Sequence, residues 1–172
     1  MSASLRRIHA ALDIPRDYGA ERHLRPQREA RRLVTVGRAP DDGRAVRLAP
    51  RAAAAWKRMH AAAARDGVVL LPLSGFRSVA RQRAIIREKL AGGQRIAEIL
   101  QLVAAPGYSE HHTGRALDLG SPDDLALDED FARTTAFRWL RLHAATFGFR
   151  LSYPRRNRHG IAYEPWHWCW HA

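Results

Sequence analysis

The sequence predicts an α+β fold, a small central antiparallel sheet flanked by helices. Three observations lead there. Helical composition comes early in the chain, short apolar runs of strand character cluster late, and no strand–helix–strand rhythm of the kind that builds parallel sheets is present. The 172 residues fit one ordinary domain. Hydrophobic residues make up 46% and charged residues 27%, a balance that supports a packed core rather than disorder.

Residues 1–49 are rich in Arg, Pro and Asp and read as an extension packed on a domain formed by residues 50–172. A short helix is expected over residues 4–12 and a short strand over 33–36, with a turn at 40–43 where Pro and Gly bracket two Asp. Pro50 suits a first helical turn. The alanine-rich run to Ala64 then has strong helix-forming composition, with Trp56 and Met59 on one side and Asp66-Gly67 as the stop. Residues 68–73 read as a buried strand and 74–77 as a loop. Ser78 is a natural N-cap for a helix to about Leu90, closed by Gly92-Gly93, and a further helix is expected over 96–103. Later come strands at 115–119, 149–151 and 164–170. A helix capped by Thr134 or Thr135 lies between the first two and ends at Gly148.

The formal net charge is +12, nearly all of it arginine, since Lys57 and Lys89 are the only lysines. Such a surface attracts polyanions, but the arginines are scattered and not interleaved with a nucleic-acid-binding motif, so no nucleic-acid partner is expected. Cys169 is the only cysteine, which excludes an internal disulfide and a Cys-rich metal site. The first residues lack the apolar segment of a signal peptide, and no run approaches the roughly 18 apolar residues of a membrane span. As written, the chain is expected in the cytoplasm, and as a monomer.

Chemistry-bearing residues concentrate in two places: Ser109-Glu-His-His-Thr-Gly-Arg-Ala-Leu-Asp118 and Glu164-Pro-Trp-His167. Catalytic zinc takes three such ligands and leaves a position for water. Each segment alone is weak. A His near an Asp is more often a structural pair, and the alternation of Trp166, Trp168 and Trp170 is what a buried strand face produces. Together the two segments supply a complete set of ligands and a base.

At this point the sequence resembles the VanY-type zinc D-alanyl-D-alanine carboxypeptidases, in the group that also holds lysostaphin-like peptidases and the zinc domain of hedgehog. Ser109, His111, Gly114, Ala116 and Asp118 match the motif Ser-x-His-x-x-Gly-x-Ala-x-Asp, and Glu164 and His167 match the later Glu-x-x-His. Ser74-Gly-Phe-Arg77-Ser78 with Gln82 resembles an upstream family segment, with Phe76 where Tyr is usual. The resemblance spans roughly residues 50–170. It implies a hedgehog/DD-peptidase-like fold with Zn²⁺ held by His111, Asp118 and His167. Glu164 would then be the base that takes a water proton, Arg77 would stabilise an oxyanion or substrate carboxylate, and Ser109 and Gln82 would help hold the substrate terminus. The implied reaction is release of the C-terminal D-alanine from a peptidoglycan stem peptide or another D-Ala-terminated peptide. L,D-carboxypeptidase and endolysin-like endopeptidase activities are the alternatives within the class. Outside it stand a zinc-containing binding module, against which Glu164 argues, and a polyanion-binding protein. The implied substrate suggests the periplasm or cell envelope, against the cytoplasmic expectation from the N-terminus.

Two geometric points stay open in the sequence. Glu164 and His167 are three apart and would face opposite ways in a regular strand, so the chain must bend between them, with Pro165 the natural place. Counting back from Asp118 by twos reaches His112, whereas the family register selects His111. The register is followed, with His112 as the alternative that strand parity supports. Cys169 and His171 share strand parity with His167, and a fourth ligand from either would close the site; Cys169 is read as a small buried hydrophobe.

Overall fold

The computed structural model describes residues 2–172. Its elements run α1 (Ala3–Ala10), α2 (Tyr18–Glu21), β1 (Val34–Arg38), β2 (Ala45–Leu48), α3 (Pro50–Arg65), β3 (Leu71–Ser74), α4 (Val79–Ala91), α5 (Ile96–Leu102), β4 (Ala116–Gly120), α6 (Thr135–His143), β5 (Phe149–Leu151) and β6 (His167–Trp170). Short 3-10 turns occupy Glu110–Thr113, Glu129–Arg133 and Ala144–Phe147. Four strands form one antiparallel sheet in the order β3-β4-β6-β5, and β1 and β2 pair as a separate antiparallel ribbon. This is the expected α+β architecture.

Local chemistry accounts for the helices. Pro50 opens α3, and Ala52, Ala55, Trp56, Met59 and Ala63 recur at helical spacing on its buried face. Ser78 caps α4 by accepting from the Arg81 N–H, and Thr134 caps α6 by accepting from the Phe137 N–H.

The two main hydrophobic clusters among the described residues lie around the sheet and around α4 and α5. The larger joins α3 to the Leu117 and Leu119 side of β4, to Trp168 of β6 and to Phe137, Trp139 and Leu140 of α6. The smaller gathers Leu12, Ile14 and Tyr18 with Ile86 of α4 and Ile99 and Leu100 of α5. Every residue of β4 is buried, as befits a central strand. Alternation sends Leu117 and Leu119 into the larger core and leaves Ala116 and Asp118 on the opposite face.

Several boundaries differ from the sequence reading. The final strand begins at His167, because Pro165 and Trp166 form a turn in which the His167 N–H donates to the Glu164 carbonyl. The strand expected over 68–73 pairs only from Leu71 to Ser74. The last helix stops at His143 and continues as a 3-10 turn to Gly148. Helix α2 and strand β2 had no strong sequence signal. β2 alternates exposed and buried residues over only four positions, too short a run to stand out.

Leu117 is fully buried and points away from Asp118. Leu117→Ala is therefore expected to lower the unfolding free energy by about 2–5 kcal/mol in chemical denaturation, with metal binding at the opposite face retained.

Candidate metal centre

Strands β4 and β6 build the centre. Asp118 and His167 are direct cross-strand partners, so their side chains lie side by side on one face. The His167 Nδ1 is 2.9 Å from Asp118 Oδ1. His111 arrives from the 3-10 turn, with its Nε2 3.1 Å from Asp118 Oδ2. The possible ligand atoms of His111, Asp118 and His167 all lie within 4.8 Å of one another, and all three residues are buried.

The turn that delivers His111 ends at Gly114, whose φ of 64° lies in the left-handed region. A side chain there would also meet the Ala49 backbone nitrogen at 2.8 Å. The chain thus leaves strand geometry between residues 113 and 116, and parity with Asp118 does not extend back to His112. The His112 ring is used elsewhere. Its Nδ1 donates to the Arg77 carbonyl at 2.6 Å and its Nε2 accepts from the Gly107 N–H at 3.0 Å. Of the two histidines, His111 faces Asp118.

The remote ring nitrogens are also anchored. His111 Nδ1 donates to the Gly75 carbonyl at 2.6 Å, which leaves the Nε2 lone pair toward Asp118. His167 Nε2 faces Glu110 Oε2 at 2.9 Å, and Ser152 Oγ donates to the same oxygen at 2.6 Å. Glu110 adjoins His111 but carries no motif signal of its own. It supplies the carboxylate that metal-ligating histidines commonly hold behind them.

These contacts set the charges. Burial alone would raise the Asp118 carboxyl, but His111 and His167 outweigh it and hold the group far below the usual carboxylate range. Burial likewise opposes ionisation of Glu110, yet His167 and Ser152 bring it down to about 2. Burial would lower His167, but the hydrogen bonds to Asp118 and Glu110 push it up to about 10. His111 is lowered, by burial first. Glu164 is pushed up to about 7 by burial, with the His167 charge opposing and Asp118 adding to the rise. Burial raises the Cys169 thiol far above its ordinary value, so it is no free thiolate.

The other expected site residues surround this triad. Glu164 Oε2 lies 3.8 Å from His167 Nδ1, on the same side because of the Pro165 turn. An Arg77 guanidinium nitrogen is 3.6 Å from Asp118 Oδ2, and the group is braced by Ser74 Oγ and Gln82 Oε1. The Gln82 amide nitrogen donates to the Ala104 carbonyl, so both ends of this buried side chain are engaged in fixing Arg77 against α5. Ser109 lines the cleft, and its hydroxyl makes no hydrogen bond among the described residues. The cleft, about 380 Å³, is lined by Arg77, Ser109, Tyr153, Glu164 and Trp166 along with the triad. Tyr153 carried no sequence signal. Its ring centroid is 5.0 Å from that of His167, and burial, with Glu110 and Glu164 nearby, keeps its phenol protonated.

This geometry separates the two histidines by experiment. His111→Ala is expected to abolish tight binding of one divalent metal equivalent in chelator competition. His112→Ala is expected to keep that equivalent and instead lower the melting temperature, because the Arg77 carbonyl and Gly107 N–H lose a buried partner. Glu110→Gln should weaken metal binding by about 10–100-fold.

The family model described as VanY, D-alanyl-D-alanine carboxypeptidase, matches residues 45–172. YodJ of Bacillus subtilis (strain 168), named as a carboxypeptidase, is 40% identical over 121 residues, covering 67% of this chain and 43% of that protein. The chain spans less than half the length of the first two curated relatives it matches. The solved LdcB LD-carboxypeptidase superposes with a TM-score of 0.75 at 31% identity, covering 83% of this chain and 69% of that one. A VanY D,D-pentapeptidase mutant from a VanB-type resistance cassette, solved in complex with Zn(II), gives 0.64 at 27% identity, covering 86% and 82%. The sheet-borne His111–Asp118–His167 centre and a family match over three-quarters of the sequence agree, and the chain belongs to the VanY D-alanyl-D-alanine carboxypeptidase family.

Proposed function

We propose that this chain is a zinc-dependent carboxypeptidase that releases the C-terminal D-alanine of peptidoglycan stem peptides. The observation that carries this reading is Glu164 set beside the His111–Asp118–His167 triad, at the wall of a cleft. Two imidazoles and one carboxylate, with no sulfur among them and one side toward the cleft, fit a catalytic rather than a structural zinc site. Zn²⁺ held there would polarise a scissile carbonyl and lower the pKa of water toward neutrality.

The chain's own groups divide the remaining work. Glu164, raised toward neutrality by burial, accepts the proton of the attacking water at its carboxylate and returns it to the leaving amine of D-alanine. Arg77 is held rigidly enough by Ser74 and Gln82 to pair with the terminal carboxylate or the developing oxyanion. The free Ser109 hydroxyl offers a further hydrogen bond to the peptide end. Trp166 and Tyr153 form walls that exclude water. The VanY-type relatives support D,D specificity, and VanYB has been solved with D-alanine-D-alanine. A specific observation favours a second reading, L,D-carboxypeptidase: LdcB superposes better and at higher identity than VanYB.

Zinc-loaded protein incubated with pentapeptide stems ending in D-Ala-D-Ala should release one D-alanine, quantified by mass spectrometry. Release only from tetrapeptide stems selects the L,D reading, and release from neither overturns both. Glu164→Gln should lower kcat by about 10²–10⁴-fold while leaving zinc bound.

The pH profile has a fixed sign. Glu164 works as the carboxylate, so activity falls as pH drops through its pKa. That value lies near 7 because Glu164 is buried, and a bound cation would move it down toward the ordinary value of about 4.3. The acid limb of kcat/KM is expected between these limits.

A further inference from the structure

A second group of ligand-type atoms lies behind the catalytic triad. A carboxylate oxygen of Glu110, the Cys169 sulfur and a His171 ring nitrogen come within 4.8 Å of one another. Strand geometry accounts for this. Cys169 follows His167 by two on β6, on the same sheet face, and His171 continues the alternation just past the strand. Cys169 stands opposite Ala116 of β4. The His171 backbone is pinned by its N–H donating to the Gly148 carbonyl at 2.8 Å, while its ring makes no hydrogen bond among the described residues. The described hydrogen bonds of the Glu110 carboxylate both fall on Oε2. The Cys169 sulfur lies 3.9 Å from the Trp170 carbonyl and interacts with the Glu110 carboxylate.

We propose that Glu110, Cys169 and His171 form a second site for a divalent metal of zinc type, and that loading it weakens the catalytic centre through Glu110. One sulfur, one imidazole and one carboxylate select a borderline-soft ion such as Zn²⁺ over Mg²⁺ or Ca²⁺. On binding, the metal–sulfur bond replaces the S–H bond and the proton leaves to solvent. Entry is from the His171 side, the exposed corner of the group. Arg150, the cross-strand neighbour of Cys169, and Arg115 both act on His171 and oppose a cation, so this site is the weaker of the two. Glu110 belongs to both sites. The carboxylate that would take the second metal also holds His167 Nε2, so metal binding there withdraws charge from the back of a catalytic ligand. Excess metal then inhibits. The coupling to activity rests on the zinc-peptidase reading, whereas the second site itself does not.

The test uses protein carrying one equivalent of Zn²⁺, titrated with Co²⁺. The His111–Asp118–His167 centre contains no sulfur, so a near-ultraviolet sulfur-to-cobalt charge-transfer band reports the second site alone. The band is expected to grow with the second equivalent, to vanish in Cys169→Ser and to weaken in His171→Ala. His171 is exposed, so its variant is not at risk of misfolding. D-alanine release should fall as the band grows, and both variants should lose that inhibition. If no band appears under excess Co²⁺ while D-alanine release persists, this inference fails and the proposed function stands. If the band appears with release unchanged, the coupling through Glu110 is overturned. If there is no hydrolysis at all, the proposed function fails and the band still decides the metal site.

Discussion

The Asp118 carboxylate is the interaction on which the rest of the site depends. It is buried on a central strand with an imidazole on each oxygen. A charge in that position is costly unless it is paired, and the pairing has to be made by groups from elsewhere in the chain. Antiparallel pairing of β4 with β6 delivers one imidazole, and the 3-10 turn before Gly114 delivers the other. A cation held between them would answer the same electrostatic demand.

Holding this arrangement takes support from both cores. The larger cluster fixes the sheet from behind through Leu117, Leu119 and Trp168. The smaller one fixes α4 and α5, and with them Gln82 and Arg77. His112 ties the two sides together. Its ring spans the Arg77 carbonyl and the Gly107 N–H and so links the turn carrying His111 to the loop carrying Arg77. The anchoring of His111 on the Gly75 carbonyl adds a second link, and a side chain at Gly75 would meet the Arg47 carbonyl at 2.5 Å. The geometry that chemistry needs is thus preorganised by backbone contacts rather than by the reacting groups themselves.

The strong positive charge has partly structural uses. Arg22 donates to the carbonyls of His159 and Gly160 and lies over the Tyr18 ring, joining the N-terminal segment to the loop after β5. Arg155 stacks on Tyr163 and pairs with Glu129, and Arg51 lies over Trp170. These contacts lay guanidinium groups over aromatic rings at the surface. The remaining excess favours an anionic environment or substrate polymer without specifying one.

The α+β class, the main helices and the candidate metal and base residues are legible in the sequence, because they rest on periodicity, caps and a residue set that matches two short family motifs. Helix α3 and the caps at Ser78 and Thr134 were legible for that reason. Three things come from the tertiary structure. It shows why His111, the residue selected by the family register, faces Asp118 in place of His112: the left-handed Gly114 turn breaks strand parity. It placed Glu164 on the His167 side through the Pro165 turn. It also brought Glu110, Tyr153, Cys169 and His171 around the centre, because burial and cross-strand neighbours are set by pairing between segments distant in the chain. The Asp118–His167 pair is the clearest case: the residues are 49 positions apart in sequence and directly opposite in the sheet.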